Sequence, residues 1–597
     1  MKIPLLLASA VLLYAEVQAQ QLPTSSNLPI VVIKTSGQTI VDDPKITADM
    51  GIIYNGSGVR NNLSDPFNHY NGKIGIELRG NSSQLVNQEK KAYGFETRNA
   101  DGSNLNVSLL GMPSENDWIL FGAFDDETYM RDALTHTLFR NMGHYSSRIA
   151  FVELYLTSDN TVDSYSEYRG IYILMEKIKR DANRVNISNL EYKDSTGNAL
   201  TGGYIVKIDH HVGNPGPYWD SQFPNECGDF RTDFELHFPE DEAIHPAHLT
   251  YIRDYLHQFE TALHGEAFKD PVNGYRKYIN VSTFIDYFLL SEVVRSADAY
   301  SHSTFMYKQR DSRGGKLSMG PMWDYNASMG NTPWNFCDAN DTEGWQYQSQ
   351  RLCRTDRKQP FWWKRFMDDP AFVAELQARW QSLRSGVLQT ATINGIIDQF
   401  IATVSEAQPR DYQRWNVTGE RGNFPTEIAY LKSWLNQRLT WMDQHVPNLG
   451  NYVRFSGGVT PTITCEQPAQ LLTYSGQHLE YQWKLNNTPI ANATQSTYTA
   501  TQPGTYTVAV TLAGNCYTEP LSTPSISRIV RSIQNGNWQS GTTWACGTIP
   551  TSLDEVTIQS GHIVQLDNTG SAFSLKLEES ARIVLENSGT IGLSSNQ

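Results

Sequence analysis

Asp298-Ala299-Tyr300-Ser301-His302-Ser303, then Thr304-Phe305-Met306-Tyr307-Lys308, then Lys316-Leu317-Ser318-Met319-Gly320-Pro321-Met322-Trp323-Asp324-Tyr325-Asn326, form one continuous pattern. Before it, Ser282 to Ser296 reads as a helix. Ser282 is a suitable N-cap, and Phe284, Ile285, Phe288, Leu289, Leu290 and Val293 make a broad apolar face. Two short strands follow, Thr304 to Lys308 and Lys316 to Met319, separated by the polar turn Arg310-Asp311-Ser312-Arg313-Gly314-Gly315. A hairpin returns its open ends to one place. Asp298 and Ser303 are therefore expected beside Asp324 and Asn326.

Two carboxylates and two neutral oxygen donors would then share one end of a ribbon anchored by a buried helix. Hard oxygen ligands of this kind suit Mg²⁺ bound together with substrate phosphates. An Asp not used on the metal suits the orientation and deprotonation of a hydroxyl. Protein kinases use the same order: helix, catalytic Asp, a metal-binding side chain five residues on, hairpin, metal-binding Asp. The step from Asp298 to Ser303 reproduces that spacing. The residues alone also admit a plainer reading, in which Asp298 caps a helix or turn and Asp324 is an ordinary loop carboxylate.

Outward from this segment, Leu22 to Val446 reads as mixed α and β. Strands are expected at Ile30–Ile33, Ile74–Leu78, Ala92–Glu96, Ala150–Leu156 and Gly170–Met175. Helices are expected at Thr128–Met142, Ala247–Leu263, Phe361–Leu383, Ile393–Ala407 and Pro425–His445. Gly213 to Pro239 reads as Gly- and Pro-containing loops. After Pro447 the composition shifts to a Gly-rich linker, 448–461. Residues 462–524 resemble an immunoglobulin-like sandwich, with short alternating strands and Trp483 between Cys465 and Cys516. Residues 529–597 step along in short strand runs and resemble the start of a β-solenoid.

The 597 residues allow about three or four domains. The formal net charge of −15 argues against a nucleic-acid binder, which needs a basic face. Met1-Lys2, the apolar run Ile3 to Tyr14 and Val17-Gln18-Ala19 read as a secretory signal cleaved after Ala19; a buried N-terminal helix is the alternative. No later stretch approaches the roughly 18 apolar residues of a membrane span. A secreted or cell-surface protein is expected. Six cysteines fit an oxidising compartment. Cys337–Cys353 and Cys465–Cys516 are the expected pairs, with Cys227 and Cys546 unassigned. A Walker A loop, a G-x-S-x-G elbow and an H-E-x-x-H helix are all absent. His210 and His211 are adjacent, and on a strand they would point to opposite faces, so they do not suit one ion.

The chain resembles the CotH-type kinases, named for a bacterial spore-coat protein and related in fold to protein kinases. The resemblance covers about Leu28 to Met442. It rests on Glu77-Leu78-Arg79-Gly80-Asn81-Ser82-Ser83, Lys90-Lys91-Ala92-Tyr93, Glu115-Asn116-Asp117-Trp118-Ile119-Leu120, Met130-Arg131-Asp132, Gly170-Ile171-Tyr172-Ile173-Leu174-Met175-Glu176, Arg184-Val185-Asn186-Ile187, Asp298-Ala299-Tyr300 and Gly320-Pro321-Met322-Trp323-Asp324-Tyr325-Asn326. It implies an α+β, two-lobed, atypical protein-kinase-like domain followed by the all-β modules. It also implies an ATP-dependent kinase, with Mg²⁺ or Mn²⁺, acting on protein Ser or Thr outside the cytosol.

By the family pattern Asp298 matches the catalytic Asp and Asp324 the metal-binding Asp; Ser303 and Asn326, the further metal ligands expected from the hairpin, depart from the pattern, since protein kinases have Asn at the first position and many CotH-type sequences an acidic residue at the second. No kinase-type Gly-rich loop is present. Lys91, opening the strand Ala92 to Glu96, is the candidate cation for ATP phosphates, with Glu176 as its partner. Plain solvated charge is the alternative for either. Arg79 is placed where it could face phosphates, or could serve in a structural pair with a carboxylate. A different class of function stays open: a catalytically inactive kinase-like surface protein that binds a cell-surface polymer or protein through its β modules.

Overall fold

Seven segments whose apolar residues point alternately to one face close a barrel in the computed structural model. The described residues are 21–80, 89–209, 216–225, 230–240, 243–332, 339–351, 359–417, 421–450, 454–455, 463–464, 467–472, 479–512, 520–522, 526–545, 547–586 and 589–593. The signal segment, most of the linker, His210 and His211, and all six cysteines with both expected pairings lie outside them. The fold is α+β. The chain divides into two units: Met1–Ala133 with Ser147–Ile178 and Gly395–Glu427, and Leu134–Ser146 with Lys179–Asn394 and Ile428–Gln597.

The barrel belongs to the first unit. Its strands are β1 (Ile30–Lys34), β2 (Ile46–Ile53), β3 (Tyr70–Arg79), β4 (Ala92–Arg98), β5 (Asp117–Phe121), β6 (Ile149–Thr157) and β7 (Tyr168–Glu176). They run in the order β1-β2-β3-β4-β5-β7-β6. The parallel pairing of β1 with β6, Ile30 opposite Glu153, closes the ring. Met50, Ile74, Ile76, Phe95, Trp118, Leu120, Val152 and Leu174 fill it.

The second unit carries an antiparallel sheet. Its strands are β8 (Tyr204–Ile208), β9 (Tyr218–Pro224), β10 (Arg231–Phe238), β11 (Thr304–Lys308) and β12 (Leu317–Met319), in the order β9-β10-β8-β11-β12. The loop reading of 213–239 is corrected here. β9 and β10 occupy most of it, because Trp219 and Ser221, and Thr232 through Leu236, are buried despite the flanking prolines.

Helix α1 (Pro246–His264) buries Ile252, Leu256, Phe259 and Leu263 at three- and four-residue steps. Helix α2 (Val281–Val294) is buried all round from Thr283 to Val294. Its N-cap is Asn280, not Ser282, since the Asn280 carbonyl already accepts the Thr283 N–H at 3.1 Å. It stops at Val294 because Arg295 turns left-handed, with φ of 48°. The segment read as one helix from Phe361 is two, α3 (Trp362–Phe366) and α4 (Pro370–Arg384). Pro370 cannot continue a helix, and the Asp369 carboxylate caps the new one by accepting the Ala371 N–H at 3.0 Å. Helix α5 (Phe424–His445) follows.

Beyond it, two antiparallel sheets share a core with Ile463, Leu471, Trp483, Tyr506 and Val508. The last segment winds as parallel pairs. Val530 lies opposite Val556, and Val556 opposite Leu575, while Val564 lies opposite Ile583. Trp538, Trp544, Val556, Ile558 and Val564 are buried within it.

Candidate active site

In the second unit, α2 delivers the chain to Asp298. The Met329 N–H donates to the Val294 carbonyl at 2.7 Å, and the Ala297 N–H donates to the Ala327 carbonyl at 3.3 Å. The hairpin closes with Met306 opposite Met319 and the Gly320 N–H on the Phe305 carbonyl at 2.9 Å. Asp298 therefore follows directly on one hydrogen-bonded segment, and Asp324 lies three residues before the other. The expected return of the two segments to each other is present in the backbone.

Asp298 sits in a tight turn. Its carbonyl accepts the Ser301 and His302 N–H groups at 3.1 and 2.9 Å, and its own N–H donates to Ser296 Oγ at 3.3 Å. Its side chain is 30% exposed, with His302 Nδ1 3.8 Å from Oδ1. Asp324 is exposed, while Ser303 and Asn326 are half-buried. Among the described residues the Ser303 hydroxyl and the Asn326 amide make no hydrogen bond. A carboxylate with a hydroxyl and an amide oxygen is a hard-oxygen donor set of the kind that suits a divalent cation. Among the described residues no three or more His, Cys, Asp or Glu side chains converge as metal ligands.

The backbone here is unusual. Arg295, Tyr300, Ser303, Asp324 and Met329 all have positive φ, between 48° and 71°. Each costs of order 1–2 kcal/mol in a non-glycine residue, and such strain persists where surrounding structure imposes it. Of these five, Tyr300 is tied to the buried Glu292. Its buried carboxylate accepts Tyr300 Oη at 3.0 Å and the N–H groups of Gln346 and Tyr347 at 2.7 and 2.8 Å. It also faces Arg438 Nη2 at 3.1 Å. Burial pushes the Glu292 carboxyl up, and Arg438 and the backbone donors pull it back. Tyr300, two residues past Asp298, is held by that cluster.

In the first unit the strand register settles the cations. Lys90 is fully buried, with its ammonium 2.7 Å from Asp411 Oδ1 and over the rings of Tyr129 and Tyr172. Asp411 also accepts Tyr129 Oη and the Ile171 N–H, each at 2.8 Å. Burial lowers the Lys90 ammonium from its ordinary value, against the pull of Asp411. Lys91 is half-buried. Its expected partner is corrected. Glu176 is completely buried on Arg148, whose Nη1 meets both carboxylate oxygens at 2.9 and 3.0 Å. Glu176 lies opposite Trp118, and Trp118 opposite Phe95. Lys91 is four residues away from Phe95 along β4, about 13 Å at ~3.3 Å per residue. Arg79, opposite Ala92, does lie at the same strand end as Lys91. Asn81, Ser82 and Ser83 lie outside the described residues.

A family model for CotH kinase protein matches residues 76–442. The chain belongs to the CotH kinase family. No curated protein matches the chain. The match takes in Arg79, Lys91, Glu176, Asp298, Ser303, Asp324 and Asn326, and ends before the C-terminal β segments.

Sequence reasoning gave no role to Asp411, Arg148, Glu292, Arg438 or His302. Asp411 had no signal, lying 321 residues from Lys90. Lys90 had one: in a Lys-Lys pair entering a strand, the two side chains go to opposite faces.

Gly170 shows what the Lys90–Asp411 pair demands. Its φ is +81°, and a Cβ there would lie 1.9 Å from Asp411 Oδ1. Gly170→Ala should displace Asp411, strand the Lys90 charge and cost about 3–5 kcal/mol. A urea titration showing a loss below about 1 kcal/mol would mean that Asp411 can retreat without harm.

Proposed function

We propose that the chain is an exported, metal-dependent kinase that transfers the γ-phosphoryl group of ATP to Ser or Thr of a protein. The observation that supports this most is the hydrogen bonding of segment 294–297 to 327–329, the first ending one residue before Asp298 and the second beginning three residues after Asp324. When bound, a divalent cation with ATP supplies a γ-phosphoryl group whose charge is neutralised. Asp324, with Ser303 and Asn326, would hold that cation. Asp298 would accept the proton of the acceptor hydroxyl as its oxygen bonds to the γ-phosphorus. The bond from γ-phosphorus to the bridging oxygen breaks, and that oxygen leaves on ADP with the electron pair. Tyr300 and Glu292 would fix the turn that aims Asp298. Lys91 and Arg79 are proposed as phosphate-facing cations of the first unit, while Glu176 is assigned to Arg148 and to barrel stability.

Export rests on the N-terminal signal pattern. Among the described residues no helix is long and apolar enough to cross a membrane. The immunoglobulin-like and solenoid-like modules would hold the kinase to a cell-surface polymer or protein. Those modules also favour a second reading, a catalytically inactive surface protein. A thermal shift on adding ATP with Mg²⁺ or Mn²⁺ separates the two: the kinase is stabilised by the metal–nucleotide pair, the inactive protein is not.

The metal set has one carboxylate and two neutral oxygens. Mg²⁺ dehydrates reluctantly and should bind it weakly. Mn²⁺ binds a given ligand set more tightly than its hardness alone would suggest, being more polarisable and less strictly octahedral. Higher activity with Mn²⁺ than with Mg²⁺ is expected, and Asn326→Asp should raise Mg²⁺ affinity. Unchanged Mg²⁺ affinity in that variant would mean that Asn326 faces away from the ion.

A further inference from the structure

One end of the barrel opens into a cavity of about 690 Å³ within the first unit. Thr35, Leu78, Tyr93, Thr157, Arg169 and Arg414 are among its lining residues, and they mark the ends of β1, β3, β6 and the starts of β4 and β7. The two arginines are the notable chemistry. Among the described residues the half-buried Arg169 guanidinium makes no hydrogen bond and no ion pair, and its Nε is buried without a partner. Arg414 lies next to it in space. Its Nε donates to the Tyr168 carbonyl at 2.7 Å, its Nη2 reaches the Ser166 carbonyl at 3.4 Å, and its guanidinium stacks on Trp415 at 4.5 Å. The Trp415 indole in turn donates to the Arg169 carbonyl at 3.0 Å. Arg414 is thus held by carbonyls and a ring, with no carboxylate neutralising it. Burial, and then the field of Arg169, lowers the Arg414 guanidinium from its ordinary value.

Two like charges side by side, partly out of water and unpaired, cost free energy unless something offsets them. The acids nearby offset them only in part: Glu167 feels the Arg169 charge without an ion pair to it. The Glu167 carboxylate is turned onto the N–H groups of Asp163 and Ser164, each at 2.9 Å. Asp159 and Asp163 are exposed on the rim, where solvent screens them. Glu89 acts on Arg414 only at a distance. Planar guanidinium forks match oxyanions in bidentate geometry.

We infer that this end of the barrel is an oxyanion pocket, in which Arg169 and Arg414 together grip one phosphate group. The group can come from inorganic phosphate or from the tail of a nucleotide. The inference rests on the arginine pair and not on the kinase reading.

The test is calorimetric titration of the full chain in phosphate-free buffer, with inorganic phosphate and with metal-free ATP, each against wild type, Arg169→Gln, Arg414→Lys and Asp324→Asn. Wild type and Asp324→Asn should bind phosphate alike. Arg169→Gln should weaken binding about 10- to 150-fold, the loss of one charge-assisted grip. Arg414→Lys, which keeps the charge but not the fork, should weaken it less. If ATP competes with phosphate, the nucleotide is the source; if the two do not compete, free anion is. Arg169 makes no protein hydrogen bond, so Arg169→Gln should unfold at the same or a higher temperature without phosphate. Wild type that binds neither probe, or Arg169→Gln that binds as tightly or unfolds earlier without phosphate, overturns the inference.

Discussion

Asp298→Asn is expected to bind metal and nucleotide like wild type and to lose about 10²–10⁴-fold in phosphoryl transfer. Asp324→Asn is expected to lose metal-dependent nucleotide binding. The split follows from where the two carboxylates stand. Asp298 sits in a turn that uses its backbone for four hydrogen bonds and leaves the carboxylate partly exposed beside His302. An amide there keeps the shape but cannot take a proton. Asp324 is exposed on a left-handed turn with φ of 64°, close in sequence to Asn326. An amide there removes the only negative charge in the proposed metal set. Equilibrium binding of a fluorescent nucleotide with and without Mn²⁺, alongside transfer rates, checks both variants. If Asp298→Asn loses binding and Asp324→Asn keeps it, the two roles are exchanged.

The second large effect concerns Arg438. Both it and Glu292 are completely buried. Arg438 Nε also donates to the Glu292 carbonyl at 2.8 Å, and Nη1 donates to the carbonyls of Thr342 and Gly344 at 3.1 and 2.6 Å. Arg438→Met leaves a buried carboxylate without its cation and should cost about 3–5 kcal/mol. The double change Glu292→Gln with Arg438→Met should cost less than Arg438→Met alone, because no charge then stays buried unpaired. Denaturant midpoints decide it. A double variant that is less stable than Arg438→Met would show that the hydrogen bonds of Glu292 to Tyr300, Gln346 and Tyr347, and not the charge balance, dominate. On the proposed role of Asp298 the pair would also bear on phosphoryl transfer, since Glu292 holds Tyr300 two residues after it.

The hairpin was legible because everything that defines it is local. The strands Thr304–Lys308 and Leu317–Met319, the polar turn and the preceding buried helix fall within about one alternation or one helical period of their expected bounds. The barrel was not legible as a barrel. Its closure is a parallel pairing of Ile30–Lys34 with Glu153–Thr157, more than a hundred residues apart, and no short-range pattern encodes that. Strand Ile46–Ile53 was missed although Ile46, Ala48, Met50 and Ile52 alternate with Thr47, Asp49 and Gly51, which is a strand's own period. The strands at Tyr218–Pro224 and Arg231–Phe238 were hidden by prolines and polar residues that the sheet tolerates near an edge.

The site shows the same division. Asp298, Ser303, Asp324 and Asn326, the residues proposed for the site, all come from one hairpin and its flanks. The Lys91–Glu176 pairing failed because it needed the register of three strands, and that register sets Glu176 level with Phe95. Likewise the partners of Lys90 and Glu292, Asp411 and Arg438, lie far along the chain, where carboxylates and guanidiniums carry no mark of whom they meet.

Incubation of the purified full chain with γ-labelled ATP and Mn²⁺, with Ser- and Thr-bearing acceptor proteins and with phosphosite mapping, is the most direct measurement of the central claim. The account predicts metal-dependent label on Ser or Thr with wild type and almost none with Asp298→Asn. Absence of label with wild type under Mn²⁺ and Mg²⁺ alike, or equal label with Asp298→Asn, would contradict it.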